Sequence, residues 1–208
     1  MRLPVISILA TLMLAVPCAA GAPASEIQRL IDEATPGSVI EPSPGIYEGT
    51  LRITKPITID GHGEVTINAG GEGSVIEITS ADVTIRGLTI TGSGKSVGGE
   101  FAGIKANNGP VTIENNTLTD VYFGIDLKQS PGSIIRNNTI VGKDLELGRR
   151  GDGIRLWWSH ACVIEHNTIL NSRDMVFWYS EDLMIQNNAV RESRYGLHFM
   201  YSHNTTVR

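Results

Sequence analysis

The chain has 208 residues, a formal net charge of −5 and a mean hydropathy of −0.01. This length is enough for one sizeable domain with its own core. The acidic balance argues against a nucleic-acid partner, because binding to a polyanion favours a basic surface.

The first 24 residues have the pattern of a secretory signal peptide. Arg2 precedes an apolar run over residues 3–16, and small residues follow as far as Ala24. The apolar run is too short to span a bilayer. Cleavage after Ala20 or after Ala24 fits this pattern, and either site predicts an exported, periplasmic protein whose folded domain covers residues 25–208.

The one stretch with helical spacing follows directly. Ser25 and Gln28 match a capping box, and the apolar residues share one face of the predicted helix: Ile27, Leu30, Ile31 and Ala34. We expect this helix to cover the N-terminal end of the strands that come after it, because uncovered strand edges would invite aggregation.

A repeated pattern fills the rest of the chain. The segments "VTIENNTLTD", "SIIRNNTIVG", "CVIEHNTILN" and "LMIQNNAVRE" share an apolar strand, a polar pair and a second apolar strand. Their period is 21 or 22 residues, apart from two insertions of about seven residues, and such a period indicates a solenoid. Apolar residues alternate within each repeat, as at Ile154 and Leu156, which favours strands over helices.

We therefore predict an all-β fold for residues 25–208, a right-handed parallel β-helix with three short strands per turn. One column should be buried (Ile113, Ile135, Ile164 and Ile185) and one should stack at a corner (Asn116, Asn138, Asn167 and Asn188). The preceding corner column should adopt a left-handed backbone: Gly87, Asn115, Asn137, His166 and Asn187. Because Arg208 ends the chain inside a strand pattern, we expect a truncated C-terminus.

A candidate partner-binding surface lies on the strand that follows the two insertions. Both insertions, "TGSGKSVGGE" and "VGKDLELGRR", leave the same corner, and insertions often decorate the binding face of a repeat protein. Trp157 points outward from the next strand, and Trp178 and Met200 take its place in the following turns. This apolar column, flanked by Arg149 and Arg150, indicates a partner surface, unless another part of the protein covers it.

Soft metal ligands occur beside this column. His198, Met200 and His203 lie within "GLHFMYSHN", and the combination of methionine and histidine suits copper, especially Cu(I), held transiently. The alternative is that these residues are only structural. Cys162 aligns with an inward position, which favours a buried core thiol over a metal ligand.

Polysaccharide cleavage is a further alternative for this fold. The "GHG" at residues 61–63 resembles a polygalacturonase motif, and Asp152 and Asp174 lie on adjacent turns. The paired aspartates and the basic motif of such enzymes are missing, so we assign no catalytic residue and expect no enzyme. A polysaccharide lyase or hydrolase remains the alternative function.

The later turns carry a more specific resemblance. "RRGDGIRLWWSH", "SRDMVFWYSED" and "SRYGLHFMYSHN" resemble the NosD family of nitrous-oxide reductase maturation proteins, which are periplasmic and β-helical. The resemblance implies an accessory, non-catalytic role in assembling the copper-sulfide centre of that reductase during denitrification. It also implies partners: the ATPase and membrane subunits of an ABC transporter, a copper-carrying lipoprotein and nitrous-oxide reductase itself. It assigns no copper ligands.

Overall fold

The computed structural model describes residues 21–96 and 98–208, and it contains short strands with one α-helix near the N-terminus. Residues 1–20 of the expected signal peptide lie outside the described residues. In chain order the first elements are β1 Ala22–Pro23, α1 Ser25–Glu33, β2 Val39–Ile40, β3 Gly45–Glu48, β4 Leu51–Ile53, β5 Thr58–Asn68, β6 Ile76–Ile78, β7 Val83–Thr91, β8 Ala102–Asn107, β9 Val111–Glu114 and β10 Thr117–Val121. The later elements are β11 Phe123–Lys128, β12 Ile134–Arg136, β13 Thr139–Gly142, a 3-10 turn Leu147–Arg149, β14 Ile154–Trp157, β15 Val163–Glu165, β16 Thr168–Leu170, β17 Met175–Trp178, β18 Met184–Gln186, β19 Ala189–Arg191, β20 Leu197–Met200 and β21 Thr206–Val207.

These strands form a parallel β-helix with three faces. One face is a seven-stranded sheet in the order β20-β17-β14-β11-β8-β6-β4. The other two faces are the stacks β10-β13-β16-β19 and β9-β12-β15-β18-β21, which the long strand β7 joins into one sheet. Each turn therefore contributes one strand to each face, as the repeat length predicts.

The registers confirm the predicted columns. Ile135 pairs with Ile113 on one side and with Ile164 on the other, and Ile164 pairs with Ile185. These isoleucines are buried in one continuous core. Full burial of each such side chain contributes about 1.5–3 kcal/mol, so the stack supplies a large part of the folding free energy.

The corner residues also behave as the sequence predicts. Gly87, Asn115, Asn137, His166 and Asn187 all have positive φ, between 54° and 65°. In the next column the asparagines form a buried ladder, in which the Asn138 Nδ2 donates to the Asn167 Oδ1 at 3.0 Å. The Asn167 Nδ2 continues the ladder to the Asn188 Oδ1 at 2.9 Å.

The helix covers the N-terminal end, but its predicted capping box is wrong. Ala24 is the N-cap residue, no side chain caps the helix, and Ser25 is its first residue. The cause is the preceding segment: β1 pairs with β3, and Ala24 is buried and donates its N–H to the Glu48 carbonyl. Gln28 instead exchanges hydrogen bonds with the backbone of Arg52 and so fixes the helix to β4.

This arrangement bears on the two cleavage sites. Cleavage after Ala20 would leave β1 in the mature protein, whereas cleavage after Ala24 would remove β1 and a buried side chain. No helix in the part of the chain that the structure describes is long and apolar enough to cross a membrane.

Candidate functional site

The outer face of the seven-stranded sheet carries charged and aromatic residues that neither fill the core nor form the corners of the repeats. Its strands align two rows of outward positions. The first row contains Lys105, Asp126, Arg155, Val176 and His198, and the second contains Asn107, Lys128, Trp157, Trp178 and Met200. Adjacent members of a row are separated by about 4.8 Å, so their side chains touch.

A buried ion-pair network anchors the centre of the first row. Arg155 binds both carboxylate oxygens of Asp126, through Nε and Nη2 at 2.8 Å each. Glu100, from the first insertion, accepts from the Arg155 Nη2 at 3.1 Å and also pairs with Lys128. Burial acts to raise the pKa of Glu100, but Lys128 and Arg155 outweigh it and lower that pKa. The network therefore ties the first insertion to the sheet.

A groove of about 410 Å³ lies beside this network. It is lined by Tyr122, Phe123, Arg150, Asp152, Arg155, Arg173, Val176, Trp178, Arg194, His198 and Met200. A second groove of about 270 Å³ shares Tyr122, Arg150 and Arg173 with it and extends to Lys95 and Arg149. We call the two together the basic groove. The second insertion, residues 143–150, forms part of its wall.

The arginines of the basic groove fall into two groups. Arg155 is neutralised by Asp126, and Arg194 is paired with the buried Asp174 at 2.7 Å. Among the described residues, no carboxylate lies within salt-bridge distance of Arg149, Arg150 or Arg173. The groove thus has an excess of positive charge although the whole chain is acidic.

Asp152 is a perturbed carboxyl group inside the basic groove. Burial raises its pKa to about 6, the neighbouring Asp174 acts in the same direction, and Arg155 and Arg173 oppose the rise. Burial and the charge of Asp152 also raise the pKa of Tyr122. A carboxyl group with a pKa near neutrality is suited to exchanging a proton, and such groups are frequent at functional sites.

The predicted partner-binding residues do come together. Trp157 pairs with Trp178, and their rings meet edge to face with centroids 4.2 Å apart. Met200 takes the next position in the row. Trp178 and Met200 line the basic groove together with Arg150, and Arg149 lies in its extension. The Trp178 Nε1 is buried and has no hydrogen-bond partner in the described part of the chain, so it is an unused donor.

Sequence reasoning missed a second set of aromatic residues, at the corner that follows this sheet. Trp158 stacks on Tyr179 at 4.5 Å, and Tyr179 stacks on Tyr201 at 4.9 Å, with nearly parallel rings. All three have positive φ, which costs roughly 1–2 kcal/mol for a residue with a side chain. The dipeptides "WW", "WY" and "MY" at one-turn intervals were the available signal.

The candidate copper ligands are only partly assembled. His198 and Met200 both line the basic groove, whereas His203 is exposed and is not among its lining residues. The His198 Nδ1 lies 3.3 Å from the Arg194 Nη2, and its ring contacts Tyr195 edge to face. Cys162 is fully buried, as predicted, and burial raises its pKa to about 11.

A second polar cluster occupies an early turn, around the "GHG" of residues 61–63. Glu41, Asp60 and His62 place ligand atoms within 4.8 Å of one another. The Arg86 Nε already binds the Asp60 Oδ2 at 2.7 Å, and the backbone N–H of His62 donates to the Asp60 Oδ1 at 3.0 Å. These contacts satisfy the buried carboxylate, so we assign the cluster a structural role.

Comparison with curated proteins finds two partial relatives. The chain is 29% identical over 134 residues to the "Probable ABC transporter binding protein NosD" of Pseudomonas aeruginosa, a match that covers 62% of this chain and 31% of that protein. It is 27% identical over 168 residues to a cell surface glycoprotein of Methanothermus fervidus, covering 64% of this chain and 26% of that protein. The chain thus spans about a third or less of the length of both relatives.

Among solved structures, the A-module of the mannuronan C-5 epimerase AlgE6 from Azotobacter vinelandii matches with a TM-score of 0.63 and 19% identity, over 84% of this chain and 52% of that one. An alginate lyase from Paenibacillus sp. str. FPU-7 matches with a TM-score of 0.61 and 20% identity, over 90% of this chain and 73% of that one. These likenesses show the shared fold. The expectation that the protein is no enzyme was wrong, because these neighbours are enzymes, and we withdraw it.

The sequence pattern of the family described as "Right handed beta helix region" matches residues 64–208, more than half of the chain. The parallel pairing of successive turns and the buried isoleucine columns agree with this match. The chain belongs to the right-handed β-helix family.

Proposed function

We propose that the protein is a periplasmic accessory protein that acts with an ABC transporter in assembling the copper-sulfide centre of nitrous-oxide reductase. The observation that carries the proposal is the 29% identity to a protein named as an ABC transporter binding protein, NosD. The proposed partners are the ATPase and membrane subunits of the transporter, a copper-carrying lipoprotein and the reductase.

The row formed by Trp157, Trp178 and Met200 is the proposed docking surface for one of these partners. Tryptophan, methionine and arginine are enriched in the central parts of protein interfaces. A buried tryptophan can contribute about 2 kcal/mol or more of binding free energy. Arg149 and Arg150 lie beside the row, on the second insertion. They would orient an acidic rim of the partner.

Copper is the proposed cargo at this surface. His198 and Met200 lie on one strand and line the same groove; the Met200 thioether is a soft donor suited to Cu(I), and imidazole nitrogen also binds copper. Two protein ligands would hold the ion weakly, which suits transfer between partners. His203, at the corner beyond β20, is the third proposed donor and would have to move towards the groove.

Disruption of the gene in its host tests the proposal. We expect nitrous-oxide reductase to be produced with its copper-sulfide centre missing, and the plasmid-borne wild-type gene should restore the centre. The absorption spectrum and the copper content of the purified reductase measure this. A reductase with a complete centre in the disrupted strain would contradict the proposal.

A carbohydrate-active β-helix is the second candidate function, and the basic groove favours it. The groove combines a carboxyl group of pKa about 6, Asp152, with a tyrosine and several arginines. A carboxylic acid that is partly protonated near neutral pH is the group that general acid catalysis at a sugar requires.

A further inference from the structure

We propose that the basic groove binds an acidic polysaccharide, with the carboxylates of its hexuronate residues held by Arg150 and Arg173. This inference rests on the second candidate function, since it names the ligand class of the same groove.

The charges of the groove select an anion. Arg149, Arg150 and Arg173 and the nearby Lys95 have no carboxylate partner among residues 21–96 and 98–208, although the chain as a whole carries a net charge of −5. An acidic protein that keeps unpaired arginines in one concave surface is complementary to a negatively charged ligand. The planar guanidinium fork binds carboxylates through two hydrogen bonds, so carboxylate groups suit these arginines well.

Arg150 and Arg173 are also held in place. The Arg150 Nε donates to the Leu145 carbonyl at 2.8 Å, and its Nη1 donates to the Glu192 carbonyl. The Arg173 backbone N–H donates to the Gly151 carbonyl at 2.8 Å, which joins the backbone at Arg173 to the preceding turn of the β-helix, beside Asp152. Neutral carbonyls thus hold the Arg150 side chain and the Arg173 backbone without cancelling the charge of either arginine.

The length of the groove favours a chain-like ligand over a single small anion. Its lining residues come from the strands β11, β14, β17 and β20 or from the segments directly before them. Three spacings of about 4.8 Å between neighbouring strands give a length of about 14 Å. That length accommodates several linked pyranose rings, and the extension towards Lys95 and Arg149 continues the same path.

The apolar lining suits sugar rings. Phe123, Val176, Trp178 and Met200 form apolar parts of the groove wall. The C–H faces of pyranose rings pack on such surfaces, while their hydroxyl and carboxylate groups need polar partners. Tyr122, Asp152 and His198 are available for those groups within the same lining.

Asp152 gives the binding a predicted pH dependence. It faces Tyr122 and Arg155, and the flanking segments bring Arg173, Asp174 and Arg194 near it. Burial raises its pKa to about 6, so its negative charge, which repels a uronate, is lost as the pH falls through that value. Binding should therefore tighten as the pH falls from 8 to 5. The uronates stay ionised over this range, because ordinary carboxyl groups have pKa values of about 4.

Calorimetric titration of the folded protein with mannuronate hexasaccharide, with neutral mannohexaose as the comparison, tests the proposal. We expect the acidic hexasaccharide to bind at least about tenfold more tightly than the neutral one. Arg173→Ala and Arg150→Ala should each weaken it about tenfold, an effect of one good charge-assisted contact. Arg29→Ala is the matched control, because Arg29 is exposed on α1, which packs against β4 and not against a groove strand. It should leave binding unchanged.

Asp152→Asn tests the source of the pH dependence. This variant should bind at pH 8 as tightly as the wild-type protein binds at pH 5, whereas Arg29→Ala should keep the wild-type profile. Equal binding of the neutral sugar, or unchanged affinity in both arginine variants with intact circular dichroism, would overturn the proposal. Tighter binding of hexaglutamate than of the uronate would overturn it in favour of an acidic protein segment.

The same samples distinguish uronate binding from the carbohydrate-active candidate function on which the inference rests. Uronate binding without formation of unsaturated or epimerised products supports the inference and removes the enzymatic candidate. Turnover of a neutral polysaccharide without uronate binding overturns the inference and leaves the carbohydrate-active candidate standing.

Discussion

Replacing Asn138 with alanine should destabilise the fold by about 2.5–7.5 kcal/mol. The Asn138 Oδ1 accepts from both the backbone N–H and the Nδ2 of Asn116, at 3.0 and 3.1 Å. Its Nδ2 donates to the Ile113 carbonyl at 2.9 Å and to the Asn167 Oδ1 at 3.0 Å. Alanine leaves the buried Asn116 N–H without this acceptor, which costs about 1–3 kcal/mol, and the other lost bonds add about 0.5–1.5 kcal/mol each.

Urea denaturation followed by circular dichroism measures this loss as a change in the free energy of unfolding. Asn107→Ala is the matched control, because Asn107 ends β8, is half-buried, and makes no side-chain hydrogen bond to the described residues. A surface change of this kind should stay within about 0.5 kcal/mol. If Asn138→Ala costs no more than the control, the asparagine ladder does not stabilise the stack as we argue.

Three further predictions concern buried and metal-binding groups. Because the pKa of Asp152 is raised from 3.8 to about 6, its contribution to stability is lost as the pH rises through that range. Asp152→Asn should therefore raise the free energy of unfolding at pH 8 by about 2–3 kcal/mol and have no such effect at pH 4; equal effects at both values would contradict this. Cys162, fully buried with its pKa raised to about 11, should not react with a thiol reagent until the protein unfolds, and rapid reaction of the native protein would show the site to be open. The triple variant His198→Ala, Met200→Leu, His203→Ala should lose Cu(I) binding in a competition titration, and unchanged binding would exclude these residues as ligands.

The columns of the solenoid were predictable because the residues of each column recur in the sequence at a fixed period. Ile113 and Ile164 lie in equivalent repeats, and equivalent positions in a stack of parallel strands must lie above one another. The left-handed corners followed from the same spacing together with the tolerance of glycine and asparagine for positive φ. The row of Trp157, Trp178 and Met200 was predictable for the same reason.

The basic groove was not predictable, because its contacts cross between repeats and insertions. Arg155 meets Asp126 across 29 residues and Glu100 across 55, and Glu100 belongs to an insertion without any period. The raised pKa of Asp152 depends on its burial in the folded protein, which no spacing in the sequence reveals. The helix cap was predicted wrongly for a similar reason, since pairing of β1 with β3 fixes Ala24 at the N-cap position.

Complementation of the disrupted strain with a Trp157→Ala, Trp178→Ala variant of the full-length protein tests the central claim, that the outer face of the seven-stranded sheet is the working surface. Thr117→Ala with Thr139→Ala is the matched control, because these exposed residues pair on neighbouring strands of another face. We predict that the tryptophan variant folds normally but yields nitrous-oxide reductase without its copper-sulfide centre, while the threonine variant restores the centre. A folded tryptophan variant that restores the complete centre would contradict the account.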